Sequence, residues 1–177
     1  MKRHGCRFCG AELTYVFLDL GHMPPANTLL LPEQLEDPET YYPLKAMVCS
    51  DCLLVQVADD VPVTSLFNER YPYYSSSSKA WVEQARAYVE MAVERFRLGK
   101  NSLVCEIGSN DGYLLQFFKE GAIPCFGIEP SIDTGKKAED KGIKTINRFF
   151  DERLAWELTE KYSPSGGREM FKKPDLI

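Results

Sequence analysis

The sequence predicts an α/β protein in which a small β-rich domain precedes an incomplete parallel sheet. Two observations predict this class. From about residue 100 onward, short apolar runs alternate with amphipathic runs, and such alternation is typical of a parallel sheet with crossover helices. Before residue 75, short apolar runs lie between turn residues in a stretch rich in Pro, Tyr and Cys, which favours strands joined by turns.

The first domain is expected over residues 1–74, where LTYVFLDL and MVCSDCLLVQV favour strands. A connecting helix is expected within residues 75–99. The hydroxyls of Ser75–Ser78 can cap its start, and Gly99 is a natural stop. Apolar side chains recur at helical spacing between these limits, at Trp81, Ala85, Tyr88, Ala92 and Phe96.

Residues 100–177 are expected to form the alternating half. A fourth strand is predicted to begin in PDLI, which would leave the sheet only half built. We therefore expect the protein to continue past Ile177. The alternative is that another chain covers the open edge of the sheet. SPSGGREMF is expected to be a surface loop. The strands are predicted in SLVCEI, PCFGIEP and IKTINRF, and the helices in GYLLQFFKEG, SIDTGKKAEDKG and DERLAWELTEKY.

Composition narrows the class of partner. The chain has 177 residues, a net charge of −5, 44% hydrophobic and 27% charged residues, as in soluble globular proteins. The acidic balance argues against nucleic acid, whose binding depends on neutralising phosphates. The N-terminus lacks the apolar stretch of a secretion signal, and no run approaches the roughly 18 apolar residues of a membrane span. We therefore expect a cytoplasmic protein with neither a nucleic-acid nor a membrane partner; the oligomeric state is left open.

Four of the six cysteines form two CxxC pairs, Cys6 with Cys9 and Cys49 with Cys52. Two such pairs can aim four thiolates at one point and complete the tetrahedral shell that zinc favours in structural sites. Gly10 suits the left-handed turn that such a pair needs. We expect one structural zinc, with disulfides or free thiols as the alternatives.

The other cysteines and the two histidines carry less information. Cys105 and Cys125 lie inside predicted strands and are expected to be small buried apolar residues. His4 could replace a cysteine ligand, but four thiolates make this unnecessary. His22 has no assigned role.

The stretch VCEIGSNDGYLL places a glycine-bearing turn between a strand and a helix, which is the arrangement of a nucleotide-binding βα turn. Glu129 ends the next strand, at the position where a carboxylate of a doubly wound sheet binds the two hydroxyls of a ribose. The candidate cofactor-binding residues are Glu106, Gly108, Asn110, Asp111, Gly112 and Glu129.

The composition of this turn favours one ligand. It lacks the third glycine of dinucleotide sites and the Gly-Lys-Ser/Thr ending of triphosphate sites, and Asn110 and Asp111 form a polar, partly negative surface that repels phosphate. S-adenosylmethionine (SAM) carries a ribose and an adenine but no phosphate, and its ammonium group is attracted to acceptors. We therefore expect SAM; a nicotinamide or flavin dinucleotide and a purely structural turn remain alternatives.

Six stretches follow one another along the chain, namely CRFCG, LDLGHMPPANTL, CSDCLLVQV, ERYPYYSSSS, CEIGSNDGYLL and GIEPS. Together they resemble the sugar C-methyltransferases that act on nucleotide-linked keto-deoxysugars. That resemblance implies an N-terminal four-cysteine zinc domain followed by a Rossmann-like class I methyltransferase domain. It also implies a nucleotide-sugar substrate, proton abstraction next to a keto group, and attack of the enolate on the SAM methyl group.

The resemblance also implies roles for the segment between the domains. Tyr73 matches a tyrosine near the substrate sugar, although Tyr71 and Tyr74 are close enough to shift the register and the aromatic run could be a lid. Ser76, within Ser75–Ser78, would lie near the cofactor's carboxylate or serve only in capping. The family's catalytic histidines follow the fourth strand, so this chain is expected to be an N-terminal fragment with an incomplete catalytic set. The competing hypothesis is a non-catalytic zinc-ribbon module that binds a macromolecule.

Overall fold

The computed structural model describes residues 5–57, 61–67, 71–160 and 173–177. The chain forms two compact units, Met1–Leu66 and Phe67–Ile177. The segment around Tyr73 is hydrogen-bonded within the second unit, through the side chain of Asn110. The expected loop SPSGGREMF and His4 lie outside the described residues.

The first unit is built on an antiparallel sheet whose strands pair in the order in which they follow along the chain. LTYVFLDL lies mostly in the first strand, whereas MVCSDCLLVQV contributes the end of the second strand and all of the third, with the second CxxC turn between them. Among the described residues the unit's buried core is small and consists of Cys6, Leu13, Met47 and Cys49, so half of it is cysteine. A core of this size needs further stabilisation, such as a bound metal. The elements are β1 (Tyr15–Met23), a 3₁₀ turn (Pro32–Gln34), β2 (Tyr42–Val48), β3 (Val55–Val57) and α1 (Val63–Leu66).

The second unit begins with the expected connecting helix, α2 (Lys79–Phe96), which follows a 3₁₀ turn at Ser75–Ser77. Ser78 caps it, since its hydroxyl oxygen accepts from the N–H of Trp81 at 3.3 Å. The helix ends before Gly99, because Arg97 adopts the left-handed conformation with φ 53°. None of the described helices combines the length and apolarity needed to cross a membrane.

A parallel sheet, whose strands again pair in chain order, forms the centre of the second unit. The alternation of strand and helix predicted from the sequence is confirmed. Each strand is shorter than the apolar run that predicted it. The elements are β4 (Val104–Ile107), α3 (Leu115–Glu120), β5 (Cys125–Ile128), α4 (Ile132–Asp140), β6 (Lys144–Ile146) and α5 (Glu152–Glu160).

The predicted fourth strand is present as a short parallel pairing on the other side of β4. Leu176 forms a bridge with Val104, and its carbonyl accepts from the N–H of Cys105 at 3.0 Å. β4 therefore has β5 on one side and the segment around Leu176 on the other. The carboxyl end of β4 is thus the switch point of the sheet, where ligands bind in doubly wound folds.

The sheet is covered on both faces by apolar side chains. Cys105 is buried, as expected, in a cluster with Phe126, Ile128 and Leu154. Cys125 is only half-buried and packs against the opposite cluster. That larger cluster joins α2, α3 and α4 to the sheet through residues that include Ala85, Val89, Ala92, Leu115, Phe118 and Ala138.

Candidate functional site

The four cysteines of the CxxC pairs converge in the first unit. The Sγ atoms of Cys6 and Cys52 lie 3.5 Å apart, as do those of Cys9 and Cys49, and all four lie within 4.8 Å of one another. A tetrahedral site with Zn–S bonds of about 2.3 Å separates its sulfurs by roughly 3.8 Å, whereas a disulfide needs about 2.05 Å. The donor set therefore fits zinc, and the cysteines are not disulfide-bonded.

The two CxxC pairs have the same backbone geometry. The N–H of Gly10 donates to the carbonyl of Cys6 at 2.9 Å, and the N–H of Leu53 donates to the carbonyl of Cys49 at 3.0 Å. Both turns need a left-handed residue, with φ 77° at Gly10 and φ 62° at Leu53. Only the first pair is followed by a glycine, so the sequence indicates the left-handed turn at Gly10 but not the one at Leu53.

Gln56 supports the cysteine cluster and was not foreseen from the sequence. Its amide donates from Nε2 to Sγ of Cys6 at 3.3 Å, while its Oε1 accepts from the N–H of Arg7 at 3.1 Å. Hydrogen bonds, chiefly from the backbone at Cys9, lower the pKa of the Cys6 thiol to about 6. Such contacts favour the thiolate, which is the form that binds a metal.

The glycine turn lies at the carboxyl end of β4 and is anchored to β5. The N–H groups of Gly108 and Ser109 both donate to the carbonyl of Ile128, at 2.8 and 3.2 Å. Ser109 is fully buried, and a Cβ at Gly127 would come 2.1 Å from its hydroxyl oxygen. The absence of a side chain at Gly127 therefore allows the turn to lie against β5.

The two glycines of the turn have different surroundings. Both have φ 73°, which favours glycine. A Cβ at Gly108 would meet no atom within 4 Å, so that side of the turn is open to a ligand. A Cβ at Gly112 would lie 2.5 Å from Cδ1 of Ile143 and 3.2 Å from Cβ of Ala138. Gly112 thus permits packing against the segment after α4, whereas Gly108 leaves open space.

Glu129 is buried, and its side chain is turned toward the glycine turn. Its Oε2 accepts from the N–H of Asn110 at 2.9 Å, and its Oε1 accepts from the N–H of Ser131 at 2.8 Å. Each carboxylate oxygen has a second lone pair. Glu129 is therefore held in a fixed orientation and still has acceptor capacity for the hydroxyls of a sugar.

Asn110 joins the glycine turn to the segment that carries Tyr73. Its Oδ1 accepts from the N–H of Ser75 at 2.8 Å, and its Nδ2 donates to the carbonyl of Tyr73 at 3.0 Å. The residue takes the left-handed conformation with φ 49°, which asparagine tolerates better than most residues. The side chain of Asn110 thus holds another part of the site in place.

Three carboxylates meet near the turn, at Glu106, Asp111 and Glu129. Oε2 of Glu106 and Oδ1 of Asp111 are buried without a hydrogen-bond partner among the described residues. Burial, with added repulsion from Glu129 and Asp111, raises the pKa of Glu106 to about 8. Unpaired buried acceptors are rare and costly, and here they form a crevice that favours a ligand with cationic or hydrogen-donating groups.

Asp111 also contacts two donors. Its Oδ2 accepts from the hydroxyl of Ser76 and lies 3.5 Å from Nζ of Lys141. Lys141 further donates to the carbonyl of Asp111 at 2.7 Å. Ser76 therefore contacts the turn through Asp111, and its predicted role near the cofactor's carboxylate stays a prediction. Lys141 carried no sequence signal because it follows α4, far away along the chain.

The three tyrosines of the segment before α2 differ in exposure. Tyr73 is 49% exposed, while Tyr71 and Tyr74 are half-buried and Tyr71 packs against Phe67 with ring centroids 5.1 Å apart. Of the three, the phenol of Tyr73 is the most accessible to a ligand. Its main chain is held next to the glycine turn by Asn110.

This geometry defines a class of protein: a four-cysteine metal-binding module followed by a parallel α/β unit of Rossmann type with an acidic crevice at its switch point. Residues 6–67 match a family model described as "Putative zinc binding domain". The C-methyltransferase NovU of Streptomyces niveus is 30% identical over 175 residues, which are 97% of this chain and 41% of that protein. These matches confirm the resemblance to C-methyltransferases, and the zinc-binding family model covers the stretch that contains the four-cysteine cluster.

The chain spans less than half the length of that relative. Among solved structures, a SAM dependent methyltransferase from Archaeoglobus fulgidus aligns with 44% of this chain and 34% of its own, at 24% identity and a TM-score of 0.31. The roles expected for Tyr73, Ser76 and the residues of the turn are not tested by these matches and stay predictions.

Proposed function

We propose that the complete protein is a SAM-dependent C-methyltransferase acting on a nucleotide-linked keto-deoxysugar in the cytoplasm. The observation that carries the proposal is the buried, unpartnered Oε2 of Glu106, which lies with Glu129 at the carboxyl ends of two neighbouring strands. A cationic nucleoside satisfies both groups. A dinucleotide would bring two phosphates to a crevice of three carboxylates.

In this proposal, each acid of the crevice binds one part of the cofactor. Glu129 accepts from the ribose hydroxyls through lone pairs that Asn110 and Ser131 leave free. Glu106 and Asp111 bind the ammonium group through the oxygens that have no protein partner. The open side of Gly108 lets the ligand approach the backbone. SAM, when bound, supplies an electrophilic methyl group.

The substrate is proposed to lie on the side of the crevice formed by Tyr73. A keto group acidifies the neighbouring carbon, and the enolate oxygen needs a hydrogen-bond donor as charge develops on it. The exposed phenol of Tyr73 is suited to that role. We assign no general base among the described residues. The four cysteines would hold zinc as a structural ion, and it would take no part in the reaction because they would leave no coordination position for water or substrate.

Transfer of labelled methyl from SAM to nucleotide-linked 4-keto sugars tests the proposal in the zinc-loaded, full-length protein. We expect Tyr73→Phe to lower kcat about 10²-fold or more with little change in the KM for SAM, since an oxyanion donor acts mainly in the transition state. Tyr41→Phe, at an exposed tyrosine of the first unit, is the control. Absence of transfer to any keto sugar would contradict the proposal.

One observation favours the competing function, a zinc module that binds a macromolecule. All nine residues of β1 are exposed, including the large apolar side chains of Tyr15, Phe17 and Leu20. Such a patch is typical of a binding surface. If this is the protein's function, replacing Gly108 and Glu129 leaves its affinity for the partner unchanged, whereas a methyltransferase loses activity.

A further inference from the structure

A second concave site lies beside α2, apart from the acidic crevice. Three of its lining residues, Trp81, Ala85 and Tyr88, share one face of the helix with Gln84, and the other wall is formed by Tyr113 and Leu114. The cavity measures about 210 Å³. That is below the 300–1,000 Å³ typical of sites for whole drug-sized ligands, so it is of the size to take one flat ring system.

The walls of this groove are aromatic and open. The rings of Trp81 and Tyr113 lie 6.1 Å apart with 26° between their planes. Trp81 is 49% and Tyr88 43% exposed, so both retain ring surface that a ligand can cover. Ala85 is buried and forms a shallow floor. Flat heterocycles stack on exposed aromatic side chains of this kind, and the stacking depends little on which polar atoms the heterocycle carries.

The polar groups of the groove are the amide of Gln84, the phenols of Tyr88 and Tyr113, and the indole N–H of Trp81. Gln84 is exposed, and its side chain has no hydrogen-bond partner among the described residues. An amide both donates and accepts, which matches the edge of a nucleobase. None of the six lining residues carries a formal charge, so the groove suits a neutral ring and not a phosphate.

Tyr113 connects the groove to the acidic crevice. It directly follows Gly112, and burial together with the Glu106 carboxylate raises its pKa. A ligand with its ring in the groove can therefore extend its remaining part past Tyr113 toward the crevice.

We propose that this groove, which we name the Trp81 groove, binds the nucleobase of the nucleotide-linked substrate. The inference rests on the proposed function and adds a site for the part of the substrate that does not react. The base is held by stacking on Trp81 and Tyr88 and by the amide of Gln84, and the sugar end extends past Tyr113 toward the methyl donor.

Titration of the zinc-loaded, full-length protein with UMP, dTMP and ribose 5-phosphate tests the proposal. We expect both nucleotides to quench tryptophan fluorescence and ribose 5-phosphate to leave it unchanged. Trp81→Leu should abolish the quenching and raise the Kd for the nucleotides, measured by calorimetry, about tenfold. Trp156→Leu is the matched control, because Trp156 is exposed on α5 and does not line the groove; it should keep both the quenching and the Kd.

Two further measurements keep the test decisive. The SAM affinity of Trp81→Leu should stay within about twofold of the wild type, which shows that the variant folds. Gln84→Leu changes only an exposed side chain. It should raise the Kd for UMP severalfold and leave the response to ribose 5-phosphate as in the wild type.

Three results would overturn the inference. The nucleotides fail to bind a protein that binds SAM, they bind wild type and Trp81→Leu equally, or Trp81→Leu weakens SAM and not the nucleotides. The last result would assign the groove to the adenine of the cofactor. If the wild type does not bind SAM, the result counts against the proposed function. Nucleotide binding that depends on Trp81 would in that case still support the groove as a nucleobase site.

Discussion

The N–H of Asn110 donates to Oε2 of Glu129 across 2.9 Å, which ties the turn after β4 to the end of β5. The same asparagine holds Tyr73 and Ser75 through its side chain. One residue thus aligns the proposed ribose-binding acid with the segment that presents Tyr73. The crevice is organised by contacts within the protein before any ligand binds.

Replacing the Glu129 carboxylate by an amide should lower both stability and cofactor affinity. In Glu129→Gln one of the two backbone N–H groups that now donate to the carboxylate would face the amide NH₂, which is itself a donor. We expect the free energy of unfolding to fall by about 1–3 kcal/mol, measured by urea denaturation, with a parallel loss of SAM affinity. Glu139→Gln, at an exposed position of α4, should change neither; equal effects from both variants would rule out a specific role for Glu129.

The two glycines of the turn should respond differently to alanine. Both variants incur the cost of a left-handed residue, about 1–2 kcal/mol. Gly112→Ala should lose roughly 1–3 kcal/mol more because its Cβ overlaps Cδ1 of Ile143, and Ile143→Val should recover part of that loss.

Gly108→Ala should instead fold and lose SAM affinity by about tenfold, or 1.4 kcal/mol, because its Cβ enters the open side of the turn. Urea denaturation and calorimetry separate the two effects. A Gly108→Ala variant that binds SAM as well as the wild type would show that the ligand does not approach the turn on that side.

The buried acid at Glu106 should make stability depend on pH. Its pKa is raised from an ordinary value of 4.5 to about 8. Between these two pH values, the folded protein therefore keeps a proton that the unfolded chain loses. The contribution is fully present below pH 4.5 and is lost as the pH rises through about 8. The free energy of unfolding should therefore fall with pH, by at most about 1.4 kcal/mol per pH unit for one proton.

Denaturation of the ligand-free protein at pH 5 and pH 8 measures this effect, and Glu106→Gln should reduce the slope. Glu90→Gln, at an exposed position of α2, should keep it. An identical slope in wild type and Glu106→Gln would show that Glu106 titrates normally.

The cysteine cluster should hold one zinc per chain, measured by elemental analysis. Cys49→Ser should lose it, while Cys125→Ser should retain it because Cys125 lies in β5 of the other unit. Gln56→Leu should keep the stoichiometry but release zinc to a chelator at about tenfold lower concentration, since it removes the hydrogen bond to Cys6. Zinc retention unaffected by Gln56→Leu would mean that this contact is not important for affinity.

The parts of the molecule that the sequence predicts are those governed by local patterns. The alternation after residue 100 depends on residues close in the chain, so it indicates β4, β5, β6 and their helices. The CxxC spacing fixes which atoms can reach one ion. Glu129 could be found because the carboxyl ends of neighbouring parallel strands share one edge of the sheet.

The parts that the sequence does not predict depend on contacts between distant residues. Gln56 reaches Cys6 across 50 positions, and Lys141 reaches Asp111 across 30; neither residue type is unusual where it stands. The sequence predicts Asn110 as a cofactor-binding residue, but no local pattern indicates that its side chain also holds Ser75 and Tyr73, 35 and 37 positions away.

The central claim is that the crevice beside β4 and β5 binds SAM with Glu129 on its ribose. Calorimetric titration of the zinc-loaded, full-length protein with SAM tests it most directly. We expect one site per chain and a loss of about 1–3 kcal/mol of binding free energy in Glu129→Ala. No binding to the wild type, or equal affinity in wild type and variant, would contradict it.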